Sequence, residues 1–273
     1  SRIVAVGDLH GDLPHAVRVL MMAGISDDSG NWVGGQTTFV QTGDIVDRGP
    51  DTIVLYEMMQ RLTSQAAEAG GKVVALLGNH EVMNMQDDLR YVTKEDFESF
   101  GGREKRKFAW SKEGWLGQYL RTLDIVAIVN ETVFMHGGMH PKWAKKGIDW
   151  INAEAHRALT TLTPDQLWQF PLFGDDGPLW YRGYAQDAEE VICGVLQKAL
   201  DHLKVRRMVI GHTPQYDGRI LGRCTGKVFV IDVGISSVYG GHAAALEIVG
   251  DTVRALYPTK PALILADSVG DGV

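Results

Sequence analysis

Apolar runs of strand length alternate, along the first third of the chain, with stretches whose apolar positions recur every three to four residues. The first run, Arg2–Val6, stops at Gly7-Asp8-Leu9-His10-Gly11. Val17, Leu20, Met21 and Gly24 then fall at i, i+3, i+4 and i+7, a helical period with Pro14 in its first turn. Residues 37–42 read as a strand ending at Gly43-Asp44. Pro50 opens a helical stretch that closes at Gly70-Gly71, and residues 72–77 read as a strand ending at Gly78-Asn79-His80. Repeated strand-turn-helix units predict parallel strands joined by crossover helices.

The second half is richer in strands. Residues 125–129 and 132–135 flank Asn130-Glu131 as a hairpin, and the second of them ends at His136-Gly137-Gly138. Residues 205–210 end at Gly211-His212-Thr213. Residues 227–233, 243–249 and 252–257 read as a closing antiparallel group separated by Gly-rich turns. Two less regular segments, 84–123 and 141–201, carry Trp and charged residues and are expected to be helical. With no repeat, low-complexity tract or linker, 273 residues read as one domain, residues 1–273, with helical inserts at about 84–123 and 141–201.

Composition narrows the class. Hydrophobic residues at 45% and charged residues at 22% are globular proportions. The longest apolar runs, 125–129 and 262–266, fall far short of the ~20 residues of a membrane span, so a soluble chain with no membrane partner is expected. A net charge of −7 argues against nonspecific nucleic-acid binding. Ser1 leads directly into the apolar run 3–6 with no secretory signal pattern and no initiator methionine, which leaves a cytoplasmic and a periplasmic or secreted location both open. The two cysteines, Cys193 and Cys224, form no CxxC and no disulfide framework, and are expected as core or surface thiols.

The chemistry lies at the strand ends. Five apolar runs end in Gly beside Asp, Asn or His, or in His followed by Gly, and in a sheet with parallel strands those ends converge on one edge. Asp8, His10, Asp44, Asn79, His136 and His212 would meet there. Carboxylate, amide oxygen and imidazole without thiolate suit Mn, Fe or Zn, and a central Asp44 offers one oxygen to each of two ions. A Gly-Asp step alone is usually a turn, and a lone strand-end His is usually a satisfied core residue. Gly43-Asp44-Ile45-Val46-Asp47-Arg48-Gly49 is more specific: five fixed positions give about one chance in a million per start position.

Gly7-Asp8-Leu9-His10-Gly11, Gly43-Asp44-Ile45-Val46-Asp47-Arg48-Gly49, Gly78-Asn79-His80-Glu81, His136-Gly137-Gly138 and Gly211-His212-Thr213 stand in this order. Together they resemble the calcineurin-like metallophosphoesterases, in their phosphoprotein phosphatase branch. Trp32-Val33-Gly34-Gly35, Pro178-Leu179-Trp180-Tyr181-Arg182-Gly183 and Ile231-Asp232-Val233-Gly234 look most like the Shewanella-like protein phosphatases. The short insert after Glu81 departs from the branch and leaves substrate preference open.

The resemblance implies an α/β fold of two mixed β-sheets packed as a sandwich flanked by helices. It implies two divalent or trivalent transition metal ions, one held by Asp8, His10 and Asp44 and the other by Asp44, Asn79, His136 and His212. His80, paired with Asp47, would protonate the leaving group, while Arg48, Arg182 and Asn79 hold the phosphate. The implied reaction is hydrolysis of phosphate monoesters of proteins and aryl groups by in-line attack of a hydroxide bridging the ions. Phosphotyrosine is favoured over phosphoserine and phosphothreonine on the Shewanella-like likeness alone. Two other readings compete: a diadenosine tetraphosphate hydrolase, opposed by Glu81 where that family has Asp, and a metal-loaded scaffold that binds phosphoproteins, opposed by the full set of ligands.

Blander expectations complete the reading. Tyr91, Phe97, Phe100, Phe108, Trp110, Trp115 and Tyr119 are expected to form a small core for the first insert, with some walling a substrate pocket. Arg103, Lys105, Arg106 and Lys107 read as a solvated face. Of His15, His140, His156, His202 and His242, only His242 is expected near the site.

Overall fold

The computed structural model describes residues 1–267. In chain order its regular elements are β1 (Arg2–Val6), α1 (Leu13–Met22), β2 (Thr38–Gln41), α2 (Thr52–Glu68), β3 (Lys72–Ala75) and α3 (Asn79–Met85). The first insert adds α4 (Lys94–Ser99), α5 (Arg103–Trp110) and α6 (Trp115–Leu120). A hairpin of β4 (Val126–Val129) and β5 (Thr132–Met135) leads to α7 (Pro141–Ala144), α8 (Ile148–Thr161), α9 (Pro164–Trp168), α10 (Gly183–Gln186) and α11 (Glu189–Leu203). The chain then forms β6 (Arg207–Ile210), β7 (Leu221–Arg223), β8 (Val228–Val230), β9 (Ala245–Val249), β10 (Thr252–Tyr257) and β11 (Lys260–Ala266).

Two mixed sheets result. The order in the first is β11-β10-β9-β1-β2-β3, and in the second β4-β5-β6-β8-β7. β1, β2 and β3 run parallel, as do β5, β6 and β8, while β4, β7 and β9–β11 pair antiparallel. β1 and β6 are buried almost throughout, which suits parallel strands covered on both faces. Val4, Val6, Phe39 and Val40 of the first sheet and Phe134, Val209, Ile210 and Phe229 of the second belong to one continuous core.

One sequence expectation fails here. Residues 228–230 do not close an antiparallel group with β9 and β10 but lie parallel to β6 in the other sheet. Alternation of apolar residues specifies a strand, not its partner, and the loop after Val230 crosses between sheets. β7 and β11 were also not anticipated from the pattern.

Residues 84–123 and 141–201 carry α4–α6 and α7–α11, and the surface reading of the first of these segments needs correction. Arg106 is 2% exposed, its guanidinium paired with Asp96 (Nε to Oδ2 3.0 Å) and set among Phe97, Phe100 and Trp110. It lies on the inner face of α5, where its carboxylate partner makes a buried charge tolerable. Phe97 and Trp110 are core, whereas Phe108 and Trp115 are exposed.

The loops after β1 and β2 are laced together. The amides of Leu9 and His10 both donate to Asp44 O at 3.0 Å, and that of Gly11 to Ile45 O at 2.7 Å. A Cβ on Gly11 would come within 2.3 Å of Gly49 O, and one on Gly49 within 2.4 Å of Gly11 O, so neither position admits a side chain. The buried Glu81 carboxylate, at the start of α3, then accepts from Asp44 N (2.7 Å), Ile45 N (3.1 Å), Gly78 N (2.7 Å) and Tyr56 OH (2.9 Å).

The cysteines are not free thiols. Cys193 of α11 and Cys224, in the turn after β7, are disulfide-bonded with Cα atoms 5.4 Å apart. The turn after β7 is held to the start of α11, Cys224 N donating to Glu189 Oε1 (3.0 Å), and nothing in the cysteines' spacing marks the pairing. The bond closes a loop of 31 residues, worth about 3–4 kcal/mol on the chain-entropy model. Replacing both by Ser is expected to lower the melting temperature by roughly 5–8 °C, with turnover per metal-loaded site unchanged. Thermal unfolding with and without reductant checks this. An unchanged melting temperature would mean the cystine carries no stability, and lost turnover at full metal content would implicate a thiol.

Candidate functional site

The C-terminal ends of β1, β2, β3, β5 and β6 deliver Asp8, Asp44, Asn79, His136 and His212 to one edge shared by the sheets, and His10 follows Asp8 in the same loop. All six are buried. Asp44 Oδ2 is the hub, 3.6 Å from His10 Nε2, 3.0 Å from His136 Nε2 and 3.8 Å from His80 Nε2. Asp8 Oδ2 lies 3.5 Å from His10 Nε2 and 3.9 Å from His136 Nε2. Two clusters with metal-holding separations share this one carboxylate: His10, Asp44 and His80, and Asp44, His136 and His212.

Backbone carbonyls, which only accept, fix how the imidazoles face. His10 Nδ1 donates to Val46 O (3.0 Å), His136 Nδ1 to Thr42 O (2.9 Å) and His212 Nε2 to Trp180 O (3.1 Å). The opposite nitrogens of His10 and His136 therefore turn to the carboxylates and that of His212 to His136, the arrangement by which a metal-binding histidine is oriented. His136 Nε2 and His212 Nδ1 are 3.1 Å apart, the spacing of two neighbouring ligands about 2.1 Å from one ion. Asn79 Oδ1 is buried with no partner in the protein. A lone acceptor among carboxylates and imidazole nitrogens fits a cation, so the side chains present suit the metal ions expected from the sequence.

The charges agree. Burial opposes a charge on His10, but its bond to the accepting Asp8 carboxylate and the fields of Asp44 and Asp8 push its pKa up to about 10. His136, equally buried, is driven up to about 9 by Asp44 and Asp8. Burial and the neighbouring His136 and Arg182 hold His212 well below the usual imidazole range. Burial opposes ionisation of Asp44, yet His136 and His80 hold its carboxyl well below the usual range. Carboxylates that draw protons onto their imidazoles in this way would exchange those protons for divalent cations.

His80 lies beside the hub. Its Nδ1 is 2.7 Å from Asp47 Oδ2, and Asn84 Nδ2 donates to both Asp47 oxygens (3.2 and 3.3 Å) and to His80 O (2.8 Å). Arg48 Cζ sits 4.1 Å from the Tyr91 ring centroid and 5.8 Å from that of Tyr239. Arg182 Nη1 donates to His212 O (2.8 Å) and Thr213 Oγ1 (3.2 Å), which places it at the rim of the second cluster. Asp8, His10, Asp44, Asp47, Arg48, Asn79, His80, His136, Arg182 and His212 thus lie together along this one edge.

Several contributors were missed. Asn84, Tyr239 and the backbone carbonyls carry no motif. Asp232 was seen only as part of a family stretch, yet it is buried, and burial and the charge of Asp8 push its carboxyl well above the usual range. Tyr91 is a wall of the site rather than insert core. His242 is turned to Val233 O (3.0 Å), outside both clusters, while His15 pairs with Asp12 and His156 with Asp124. His140 caps α7 and His202 sits in the last turn of α11.

The backbone of this edge is strained. His10, Asp44, Asp47, Arg48 and His212 all have positive φ, between 42° and 74°. Each costs about 1–3 kcal/mol and persists only where its surroundings enforce it, and here the interlocked loops and Glu81 do so.

Comparison with known proteins agrees with this geometry. The calcineurin-like phosphoesterase family model matches residues 1–216. An uncharacterised Schizosaccharomyces pombe protein is 40% identical over 273 residues, covering 94% of this chain and 81% of its own. Shewanella-like protein phosphatase 2 of Arabidopsis thaliana is 31% identical, covering 96% of this chain and 78% of its own. The crystal structure of the cold-active protein-tyrosine phosphatase of a psychrophilic Shewanella superposes with a TM-score of 0.84 at 31% identity, over 96% of this chain and 80% of that one. A match over most of the chain, relatives of that identity and a shared fold together place the chain: it is a hydrolase of the phosphatase type and belongs to the calcineurin-like phosphoesterase family.

Proposed function

We propose that the chain is a dinuclear metal-dependent phosphomonoesterase acting on phosphoproteins and aryl phosphates, with phosphotyrosine ahead of phosphoserine and phosphothreonine. The observation that carries this reading is the sharing of Asp44 by two imidazole-carboxylate clusters. Asp8, His10 and Asp44 would hold one ion, and Asp44, Asn79, His136 and His212 the other. Bound there, two divalent ions supply positive charge for the phosphate oxygens and acidify the attacking water.

The chain's own residues do the rest. Arg48 and Arg182 approach the edge from different loops, and each offers a planar fork that can pair with two phosphate oxygens and align the phosphorus with its nucleophile. Asp47 accepts from His80 Nδ1, so the proton destined for the leaving oxygen sits on Nε2, the nitrogen facing the hub. Asn84 fixes Asp47 through both oxygens and is a positioning residue. Tyr91 and Tyr239 give the entrance beside Arg48 aromatic walls, which supports an aryl leaving group. The Shewanella enzyme's description as a tyrosine phosphatase supports the same preference.

Diadenosine tetraphosphate hydrolysis has less support, because Glu81 is built into the loop network and the named relatives are protein phosphatases. Turnover of an aryl phosphate, a phosphotyrosine peptide, a phosphoserine peptide and diadenosine tetraphosphate, compared side by side, tests the proposal. Activity should vanish on chelation, return with Mn, and rank phosphotyrosine above phosphoserine in kcat/KM. Full turnover by chelated protein, or preference for the dinucleotide, would refute it.

Arg48→Ala and Arg182→Ala should each lower kcat/KM by roughly 10²-fold or more, since each removes a charged fork from the transferring group. Fold and metal content should persist. Wild-type kinetics for Arg182→Ala would locate the second clamp elsewhere.

The acid separates from the metal ligands by leaving group. A phenolate departs with little help, whereas a serine alkoxide strongly needs a proton. His80→Asn should depress phosphoserine hydrolysis far more than that of an activated aryl phosphate, and Asp47→Asn should show a weaker version of the same asymmetry. Asp44→Asn should slow all substrates alike, with reduced metal occupancy. Equal losses on both substrate types for His80→Asn, at normal metal content, would remove it from the acid role.

A further inference from the structure

Arg182 is held through its side chain and through its backbone. Its Nη1 donates both to His212 O (2.8 Å) and to Thr213 Oγ1 (3.2 Å), which leaves the other edge of the fork, Nε and Nη2, for a ligand. Its main chain is the N-cap of α10, where Ala185 N and Gln186 N donate to Arg182 O (3.1 and 3.0 Å). With four residues, α10 is too short to persist as a helix on its own. Where the Arg182 backbone stands is therefore decided by whatever holds α10.

Two contacts hold it. The buried Tyr184 donates from its hydroxyl to Met139 O (2.7 Å), in the loop that follows His136. At the other end, the carbonyls of Tyr184 and Asp187 have no later helical turn to donate to them. Arg223, the last residue of β7, takes that role: its Nη1 donates to Tyr184 O (2.7 Å) and its Nη2 to Asp187 O. Glu189 Oε1 lies 3.9 Å from Arg223 Nε and accepts from Cys224 N (3.0 Å), which steadies both the guanidinium and the turn beside it.

The Arg223 side chain is only 13% exposed, and both of its terminal nitrogens are engaged by backbone carbonyls, so it is not itself a phosphate ligand. Its strand makes it a fixed point. β7 pairs with β8 and β8 with β6, the strand that ends at His212. One sheet thus carries both the carbonyl that Arg182 binds and the guanidinium that anchors its helix.

We infer that Arg223 is a positioning residue for Arg182. It does not meet the substrate; by binding the C-terminal carbonyls of α10 it keeps that helix, and the guanidinium at its N-cap, in register with the phosphate site. The inference rests on the reading of Arg182 as a phosphate clamp. Misplacing a positioned group by about 1 Å can lower a rate ~10²-fold, so an anchor remote from the phosphorus still reaches the chemistry.

The test uses the metal-loaded full chain and Arg223→Met, which keeps the apolar stem and removes the donors. On an aryl phosphate kcat/KM should fall roughly tenfold, and inhibition by inorganic phosphate should weaken roughly fivefold, at unchanged metal content. Double-mutant cycles decide the role. Combined with Arg182→Ala, Arg223→Met should add almost nothing to the loss from Arg182→Ala alone, whereas combined with Arg48→Ala the two losses should multiply. A general loosening of the fold would treat both arginines alike. Arg223→Lys, which keeps the charge and one donor group, should lose only about threefold, and its cycles decide the question if Arg223→Met fails to fold. Losses that multiply with Arg182→Ala, or wild-type kinetics for both Arg223 variants, would overturn the inference and leave the clamp standing. Wild-type kinetics for Arg182→Ala alone would remove the clamp and the inference with it.

Discussion

A single buried carboxylate holds the working edge together. Glu81 is satisfied by backbone amides from the loop after β2 and from Gly78, and by the Tyr56 hydroxyl of α2. Burial and the nearby Asp44 push its pKa up, while those donors pull it down. Because several donors converge on it, only an acceptor-only group fits; an amide would turn its own N–H groups against them. Asp44 is thereby fixed in a backbone conformation it would otherwise avoid, and α3 starts where Asn79 and His80 face it. The hub, the lone amide oxygen and the imidazole beside Asp47 depend on that attachment.

The cluster around Asp44 is built across both sheets. His136 comes from β5 but takes its orientation from Thr42 O of the first sheet's loop, and His212 follows β6 but is turned by Trp180 O of the second insert. Sheet packing and the geometry of the cluster are thus set by the same contacts. Concentrated negative charge from Asp8 and Asp44 explains why adjoining imidazoles are shifted in opposite directions: His10 and His136 answer the carboxylates, while His212 answers burial and its cationic neighbours.

Asp8, Asp44, Asn79, His136 and His212 were legible because each stands at the end of an apolar run, where a short polar word interrupts a hydrophobic one. Arg182 was legible only through likeness to a family, and its contacts with His212 O and Thr213 explain its position. Sheet membership was not legible. Residues 228–230 look like their neighbours β9 and β10, and the choice of β6 as partner is made by tertiary packing. The Cys193–Cys224 bond and the burial of Arg106 were hidden for the same reason: each requires a partner distant in sequence or on an unforeseen inner face. Asn84 acts through geometry that no spacing announces.

The reciprocal clearance of Gly11 and Gly49 bears on what the motifs themselves are. Each loop is the mould in which the other is cast: the backbone of one fills the volume a side chain would need on the other. Much of what makes these short words recognisable in a sequence is then the imprint of loop on loop. The glycines record a contact between two pieces of backbone, and the aspartates and histidines beside them record the chemistry which that contact holds in place.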